Sequence, residues 1–247
     1  MRGRLLELTL GDPYENLALE EALLRGAKVP TLRVWDNQKS VVIGRAQLAG
    51  FETDLAYCAE HSIPVVRRLT AGGTVYNGPG NINWTFVFPS NEAPAWLVRA
   101  SGAKGVFESF AGIVTEALAG CGAEASFEAP NTLVGPGGKI SGMAAYISRE
   151  ATLCHGTLLV SADLAEVERL TRPSKQALRR RYARSRNVKV ANCGVEPSEF
   201  ARRLAMAAPG FVPGERTEEE TELFSGLVGK YRREEWSLGD PFELDYL

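Results

Sequence analysis

Residues able to do chemistry fall into three separate segments of the 247-residue sequence. In the first segment, Arg67 and Arg68 precede the small residues Ala71, Gly72 and Gly73. Guanidinium groups bind phosphate and carboxylate, and backbone N–H groups in a loop of small residues approach a ligand closely. The segment therefore indicates contact with a phosphate or an acyl group. A tight turn flanked by solvated arginines is the commoner explanation of such a segment taken alone.

The other two segments each hold one candidate for charge stabilisation or proton transfer. Lys139 follows a glycine-rich turn and begins an apolar stretch, so we expect its ammonium to project from a mobile loop toward a sheet face. His155 lies in an apolar strand pattern between Cys154 and Gly156. A solvated surface lysine and a buried, hydrogen-bonded structural histidine are the ordinary alternatives for these two positions.

Several common catalytic sites are excluded by motifs that the sequence lacks. The two histidines, His61 and His155, belong to no HExxH or clustered Cys/His motif, so no dedicated metal site is expected. A P-loop would need glycine and serine or threonine where Leu133 and Ile140 stand, and a dinucleotide fingerprint fails at Asn83. A GxSxG nucleophile elbow is also absent.

The composition is that of one globular domain. Hydrophobic residues make up 45% of the chain, charged residues 23%, and the formal net charge is -2. No apolar stretch approaches the roughly 18 residues of a membrane span, and the N-terminus has no signal-peptide pattern. The cysteines form no CxxC pair; they are Cys58, Cys121, Cys154 and Cys193. We expect a single cytoplasmic domain, residues 1–247, with reduced thiols and no membrane contact.

Periodicity and capping predict the elements that position these residues. The strongest helix pattern covers residues 106–118, and a helix capped by Asp12 runs from about Pro13 to Leu24. Thr53 is the expected cap of a helix reaching about His61. Further helices are expected near residues 164–170, 197–207 and 218–231, and strands at residues 4–10, 31–35, 40–43, 64–68, 74–76, 82–88, 140–148 and 151–160.

The order of these elements indicates the fold class. Two hairpins are expected, one from residues 31–35 and 40–43 and one from residues 140–148 and 151–160. Strands in runs followed by helices indicate an α+β fold with a mixed sheet, not regular βαβ winding.

Seven segments, in order, resemble those of one enzyme family. They are residues 12–21 (DPYENLALEE), Trp35 with residues 41–47 (VVIGRAQ), residues 67–74 (RRLTAGGT), residues 80–86 (GNINWTF), residues 138–142 (GKISG), residues 155–159 (HGTLL), and an ending with Lys230, Tyr231, Glu235 and Trp236. Together they resemble the catalytic domain of lipoate-protein ligase A, in the biotin/lipoate protein ligase superfamily. The resemblance covers most of the chain and implies an α+β fold with a mixed, largely antiparallel sheet flanked by helices.

The resemblance also implies an activity. Such a ligase activates lipoate with ATP, as its Mg²⁺ complex, to lipoyl-AMP and transfers the lipoyl group to a lysine of a lipoyl carrier domain. Lys139 is the implied catalytic residue, stabilising negative charge in both half-reactions. The implied lipoyl and adenylate contacts are Trp35, Arg45, Arg68, Thr70, Ala71, Gly72, Gly73, Tyr76, Asn81, Asn83, Asn131, Ser141, Gly142, Ala144, His155, Gly156 and Thr157. Ligases of this family commonly carry a C-terminal accessory domain for which this chain has no room, so a separate accessory subunit is expected.

The sequence departs from the family pattern in the acyl loop and near the implied nucleotide. Thr70 and Ala71 replace a serine and the first of three glycines. The pair Asn77-Gly78 stands in place of His-Asp, and Thr132 in place of an aspartate. The departures at Asn77-Gly78 and Thr132 bear on how the protein would bind magnesium-ATP.

Three alternative functions stay open. The runner-up is an octanoyl or lipoyl acyltransferase of the same superfamily that works through a cysteine thioester without ATP. Ser126 occupies the place of its cysteine, and Cys154 is the remaining candidate nucleophile. A non-catalytic carrier-binding subunit would tolerate loss of Lys139, which is present, and a biotin ligase would need a GRGRxxR loop, which is absent.

Charge is segregated along the C-terminal third. Residues 169–189 contain nine Lys/Arg and no acid, whereas residues 215–222 are strongly acidic. The basic run is predicted to dock an acidic carrier domain or to cover the adenylate. The predicted docking residues are Arg179, Arg180, Arg181 and Arg184. A solvated helix face is the alternative, and nucleic acid is not expected because few aromatic residues interleave these arginines.

Overall fold

The computed structural model describes residues 2–7, 9–175, 181–208 and 210–244. Its strands are β1 (Gly3–Leu6), β2 (Thr31–Trp35), β3 (Ser40–Ile43), β4 (Val65–Arg67), β5 (Val75–Asn77), β6 (Asn81–Pro89), β7 (Ser126–Glu128), β8 (Thr132–Gly135), β9 (Gly138–Ile147), β10 (Ala151–Leu159) and β11 (Phe211–Pro213). Its α-helices are α1 (Pro13–Arg25), α2 (Ala49–Glu52), α3 (Leu55–Glu60), α4 (Gly102–Gly120), α5 (Leu164–Leu170), α6 (Pro197–Ala207), α7 (Glu218–Arg232) and α8 (Glu234–Leu238).

The strands form one large and one small sheet. The large sheet has eight strands in the order β11-β1-β2-β6-β10-β9-β8-β7, and the small sheet has the order β4-β3-β5. In the large sheet β1 runs parallel to β11 and β2, and the other neighbours are antiparallel. The predicted α+β fold with a mixed, largely antiparallel sheet is confirmed. Within the residues described, no helix is long and apolar enough to cross a membrane.

Helices cover both faces of the large sheet. Apolar side chains recur at helical spacing along α4, and Val106, Phe110 and Val114 are buried against the sheet. The opposite face is covered by α1, whose Leu19 and Leu23 are buried against β6 and β10. The start of α1 follows its sequence signal, since Asp12 accepts hydrogen bonds from the backbone of residues 14 and 15.

The first predicted hairpin is wrong. Strand β2 lies between β1 and β6 in the large sheet, whereas β3 lies between β4 and β5 in the small sheet. The turn between them is held by α1, because Asn16 donates to the carbonyl oxygen of Asp36 and to Oδ1 of Asn37. The backbone N–H of Gln38 donates to the carbonyl oxygen of Gly11. These contacts turn the chain from one sheet to the other.

Two other element boundaries also differ from the expectation. Asp54 caps α3 by accepting from the backbone of Tyr57, and Thr53 is the last residue of the preceding turn. The hydroxyl of Thr53 lies instead 3.5 Å from Sγ of Cys58. Strand β1 ends at Leu6 instead of Leu10, so that the chain turns early toward α1.

Gly156 marks a close contact at the centre of the large sheet. A Cβ atom at this position would lie 2.5 Å from Cζ2 of Trp84, which is fully buried. We therefore expect Gly156→Ala to lower the free energy of unfolding by about 1–3 kcal/mol through overpacking. The control is Gly112→Ala in α4, where an added Cβ has no atom within 4 Å. That change should stabilise the helix by up to about 1 kcal/mol. Equal stability of Gly156→Ala and the wild type in urea unfolding would contradict this packing.

Candidate active site

A cavity of about 500 Å³ lies on the face of the large sheet that α1 covers. Its walls include Leu17 and Glu20 of α1, residues 72–75, and residues 183–186 with Val188 and Lys189. It has the size of a small-molecule site and combines apolar surface with a few polar and charged groups.

One row of paired residues forms the floor of this cavity. Directly paired residues on adjacent strands point to the same face of a sheet. The row crosses β2, β6, β10, β9, β8 and β7 through Trp35, Asn83, Thr157, Gly142, Thr132 and Glu128. All six residues line the cavity. The floor therefore begins at a buried aromatic ring and ends at a carboxylate on the edge strand, and we call this row the floor row.

A bulge aims Lys139 at the floor row. Val134 of β8 pairs with Lys139 of β9, but Leu133 pairs with Ser141, so that β9 has one extra residue there. Such a bulge changes which face successive side chains point to. Ile140 is buried in the core on the opposite face, and Lys139 lines the cavity. The expected mobile loop is thus corrected: Lys139 is in a strand, its N–H donates to the carbonyl oxygen of Lys189, and its carbonyl oxygen accepts from the N–H of Ala191.

The ammonium of Lys139 extends over Gly142. A Cβ atom on Gly142 would lie 3.0 Å from Nζ of Lys139, so a side chain there would displace the amine. Burial, and secondarily the charge of Arg68, lower the pKa of Lys139 from its ordinary value. Within the described part of the chain, the ammonium has no carboxylate within salt-bridge distance. Its positive charge is therefore available to a ligand.

A buried polar cluster supports the end of the cavity at Trp35. Nδ1 of His155 lies 2.8 Å from a carboxylate oxygen of Glu20, and its Nε2 lies 2.7 Å from Oγ1 of Thr70. Thr85 donates to Glu20 at 2.5 Å and accepts from the indole N–H of Trp35 at 2.9 Å. The cluster fixes the ring of Trp35 and links α1 to the loop of residues 70–73.

Electrostatics keep Glu20 ionised inside the protein. Burial alone would raise its pKa, but the charge of His155 and the hydrogen bonds from His155 and Thr85 outweigh this, so that the pKa of Glu20 is lowered. Burial also lowers the pKa of nearby Arg33 to about 9, against the opposing effect of Glu20. The negative charge of Glu20 and the positive charges of His155 and Arg33 therefore stabilise one another.

Arg68 organises the loop of small residues. Its Nη2 donates at 2.8 Å to the carbonyl oxygens of Ala71 and Gly73, and its Nε donates at 3.0 Å to Oγ1 of Thr70. Gly72 has φ +99°, and a Cβ atom on Gly44 would lie 2.2 Å from the carbonyl oxygen of Gly72. A side chain at either glycine would disturb the loop. Arg68 thus lines the cavity while its guanidinium is bound to the loop's own carbonyls.

The second half of the basic run closes one side of the cavity. Oγ of Ser185 accepts from the N–H of Thr74 at 2.7 Å and from Gln47 at 3.0 Å. Arg184 pairs with buried Glu52 at 3.3 Å and also lines the cavity. Arg184, which belongs to the run predicted to dock the carrier domain or to cover the adenylate, is thus a wall residue of the cavity. Arg181 pairs with Asp240 at 3.2 Å on the outside.

The other two predicted docking residues, Arg179 and Arg180, lie outside the described residues. A docking role for the basic run therefore stays a prediction.

The structure brings most of the predicted contact residues together. Those on the cavity wall are Trp35, Arg68, Gly72, Gly73, Asn83, Asn131, Lys139, Gly142, Ala144, His155, Gly156 and Thr157. Those away from the wall are Arg45, Thr70, Ala71, Tyr76, Asn81 and Ser141. Direct ligand contact of the wall residues stays a prediction.

The residues away from the wall support the structure behind it through packing and hydrogen bonds. Tyr76 is buried in the small-sheet core, and Asn81 donates to the carbonyl oxygen of Leu158. Arg45 holds the loop of residues 70–73 through its backbone, since its N–H donates to the carbonyl oxygen of Thr70 at 2.9 Å.

Several wall and supporting residues were not predicted from the sequence, and three of them show why. Glu20 lies within a recognised segment, but the pattern does not show that its carboxylate faces the site. Glu128 stands on a strand of three residues that no periodicity marks. Gly44 follows a buried strand, and only the close approach of Gly72 explains it.

Comparison with known proteins identifies the family. The sequence profile of the lipoyl protein ligase A/B catalytic domain matches residues 12–200. The chain belongs to this family. The residues that line the cavity all fall within the matched range. The described C-terminal elements pack behind the cavity and do not line it.

Individual family members share both sequence and fold with the chain. It is 31% identical to the lipoate-protein ligase LplJ of Bacillus subtilis, over 74% of this chain and 53% of that protein. A bi-partite lipoate protein ligase of Thermoplasma acidophilum, solved in a study that includes its E2 lipoyl domain, superposes with a TM-score of 0.83 at 27% identity, covering 100% of both chains. A lipoate-protein ligase A bound with ATP gives a TM-score of 0.82 at 28% identity, covering 97% of this chain and 100% of the other. The chain spans about half the length of the Bacillus relative.

The buried Glu20–His155 pair gives the site a testable dependence on pH. Glu20→Gln leaves His155 and Arg33 without their carboxylate and should cost about 3 kcal/mol of unfolding free energy at neutral pH. Because the pKa of Glu20 is lowered, its stabilisation is present above the ordinary carboxyl pKa of about 4.3 and is lost as the pH falls through the lowered value. Urea unfolding should therefore show the wild type and variant converging below about pH 4.

The matched control for this prediction is Glu116→Gln on the exposed face of α4. It should follow the wild type at every pH. A stability difference between Glu20→Gln and the wild type that stays constant into acid would contradict the assigned ion pair.

Proposed function

We propose that this chain is the catalytic part of a lipoate-protein ligase, which activates lipoate with ATP and transfers the lipoyl group to a lysine of a lipoyl carrier domain. The observation that carries the proposal is the floor row, with Trp35 at its buried end and the ammonium of Lys139 extended over Gly142. An acyl chain lying along this row has its tail at an aromatic ring and its carboxyl group at a cation.

The chemistry requires activation of the acid. A carboxylate and an amine do not condense in water at useful rates, so the acid is first converted to an adenylate with a good leaving group. Lys139 would donate to the acyl carbonyl and the α-phosphate and stabilise the negative charge that develops on both. Two features of Lys139 suit this role. Among the described residues its ammonium has no carboxylate partner, and the bulge turns its side chain into the cavity.

The acyl end suits an apolar chain. Leu17, Val42 and Ala144 join Trp35 around the buried end of the cavity. Burial of an eight-carbon chain contributes about 0.8 kcal/mol per methylene, which is enough for micromolar affinity.

Mg²⁺ would enter as part of the ATP substrate complex. Among the described residues no group of three or more His, Cys, Asp or Glu could hold a metal ion. The floor row offers the amide of Asn83 and the hydroxyl of Thr132. This donor set fits an ion carried mainly by the triphosphate and its waters, which is the usual way that proteins bind Mg²⁺ with nucleotides.

The proposal includes two partners. The first is the lipoyl carrier domain, and the basic residues around the cavity favour an acidic one. The second is an accessory subunit, which is supported by the bi-partite character of the similar archaeal ligase. We propose the cytoplasm as the place of action.

A cysteine-dependent acyltransferase is the competing function within the family. Cys154 is fully buried in the core on the opposite face of the sheet from the cavity. Burial, and secondarily the charge of Glu20, raise the pKa of its thiol well above the ordinary value. Of the described residues that line the cavity, none is a cysteine. These observations favour the ligase.

The decisive experiment is mass spectrometry of a lipoyl domain incubated with this protein and lipoate, with and without ATP, and with and without an accessory subunit. A mass gain that requires ATP supports the ligase. A gain only from an acyl-carrier thioester contradicts it and supports the acyltransferase.

Lys139→Ala should abolish transfer without unfolding the protein. The ammonium contributes charge stabilisation to the reaction and is in contact with little of the core. The control is Lys104→Ala, whose side chain is 80% exposed on α4. We expect the first variant to lose far more than tenfold in kcat and the second to match the wild type. A loss below about tenfold, or 1.4 kcal/mol, would contradict the role of Lys139.

Cys154→Ser should affect stability and not chemistry, because the ligase forms no covalent enzyme intermediate. The buried thiol is replaced by a hydroxyl that lacks an arranged partner, which should cost about 1–3 kcal/mol of unfolding free energy. The kcat of the folded variant should stay within about twofold of the wild type. Detection of an acyl thioester on Cys154 in the wild type by mass spectrometry would overturn this prediction.

A further inference from the structure

The edge of the sheet holds a carboxylate for which the two half-reactions described above give no use. Glu128 is the last residue of the floor row, on edge strand β7. It is exposed and lines the cavity. Within the described part of the chain, its side chain makes no salt bridge. A charged group without a protein partner at the mouth of a site is available to a substrate.

Glu128 differs in charge and access from the rest of the cavity wall. The charged wall residues other than Glu128 and Glu20 are the cations Arg68, Lys139, Arg184, Arg186 and Lys189. The other carboxylate on the wall, Glu20, is 4% exposed and already accepts from His155 and Thr85. Among the described wall residues, Glu128 is therefore the acid that an incoming cation can reach.

The floor row fixes how far Glu128 lies from the reacting groups. Gly142, below the ammonium of Lys139, pairs with Thr132, which pairs with Glu128. Two interstrand steps separate the backbone of Glu128 from that of Gly142, or about 10 Å. The ammonium of Lys139 lies over one end of this interval, at Gly142, and Glu128 stands at the other end. A group held by Glu128 is thus next to the reacting centre, on the side away from Trp35.

The second substrate in the proposed reaction is itself a cation. The acceptor lysine carries an ammonium at neutral pH, since its ordinary pKa is about 10.4. It must approach an activated acyl group surrounded by cations that repel it. A carboxylate at the mouth offsets this repulsion and gives the ammonium a defined binding position.

We propose that Glu128 binds the ammonium of the acceptor lysine at the mouth of the cavity, which makes Glu128 a substrate-binding residue of the second half-reaction. The bound lysine then loses one proton to solvent, which reaches the exposed Glu128. The neutral amine attacks the acyl carbonyl carbon, the bond from that carbon to the phosphate oxygen breaks, and AMP leaves with the electron pair. This inference rests on the proposed function. The acyl group lies along the floor row from Trp35 to Gly142, and the acceptor lysine enters over Thr132 from the edge strand. The carrier domain is accordingly seated against β7.

The test separates the two half-reactions in Glu128→Gln and Glu128→Asp. Adenylate formation is measured by ATP–pyrophosphate exchange with lipoate. Transfer is measured from preformed lipoyl-adenylate to two acceptors, a lipoyl domain and hydroxylamine, which is uncharged at neutral pH. The matched control is Glu124→Gln, an exposed glutamate close by that does not line the cavity.

Glu128→Gln should keep adenylate formation and transfer to hydroxylamine within about twofold of the wild type. Its kcat/KM for the lipoyl domain should fall by about tenfold or more, mainly through KM, with partial recovery in Glu128→Asp. Glu124→Gln should behave as the wild type throughout. A merely structural role would lower transfer to both acceptors equally.

Two outcomes would overturn the proposal for Glu128. In the first, Glu128→Gln transfers to the lipoyl domain as well as Glu124→Gln does. In the second, Glu128→Gln loses pyrophosphate exchange and excess Mg²⁺ restores it. That result would mean that the carboxylate of Glu128 helps to bind the nucleotide and its metal ion. Failure of the wild type to form the adenylate in the presence of an accessory subunit would instead refute the proposed function.

Discussion

The site depends on the pairing register of the large sheet. Because paired residues share a face, the register places Trp35, Gly142 and Glu128 in one line across six strands. A slip of one residue in the register of any strand would turn that strand's floor-row side chain to the opposite face of the sheet, into the core. The bulge at Lys139 interrupts this regular register. It brings the amine of Lys139 to the cavity face, from which regular alternation would exclude it.

Helix α1 connects this sheet to the rest of the molecule through buried polar side chains. Asn16 holds the turn that leads to the small sheet, and Glu20 binds His155 behind the acyl end. Glu21 faces α7, where it accepts from Lys230 at 2.8 Å and from Tyr231 at 2.7 Å. Each group is costly to bury alone and is stabilised by its partner. The helix therefore carries polar specificity on several sides, which its apolar periodicity alone does not reveal.

The sequence predicts the elements better than their arrangement. The bounds of α5 and α6 match the expectation because capping and periodicity are local signals. The pairing of β2 with β6 joins residues distant in sequence. The bulge at Lys139 occurs within a local pair of strands, but Lys139 also bridges to Val190, which is distant in sequence. For the site, recognisable segments supplied Trp35 and His155, but Glu128 has no local signal, because its importance comes from its place at the end of a row of six strands.

A crystal structure with a stable lipoyl-adenylate analogue, such as the acyl sulfamate, tests the central claim most directly. The floor row predicts that the acyl tail contacts Trp35, and that the acyl carbonyl and the phosphate mimic lie within about 3 Å of Nζ of Lys139. It also predicts open space over Thr132 toward Glu128. A ligand with its nucleoside against Trp35, or with Lys139 turned away from the acyl–phosphate linkage, would contradict the account.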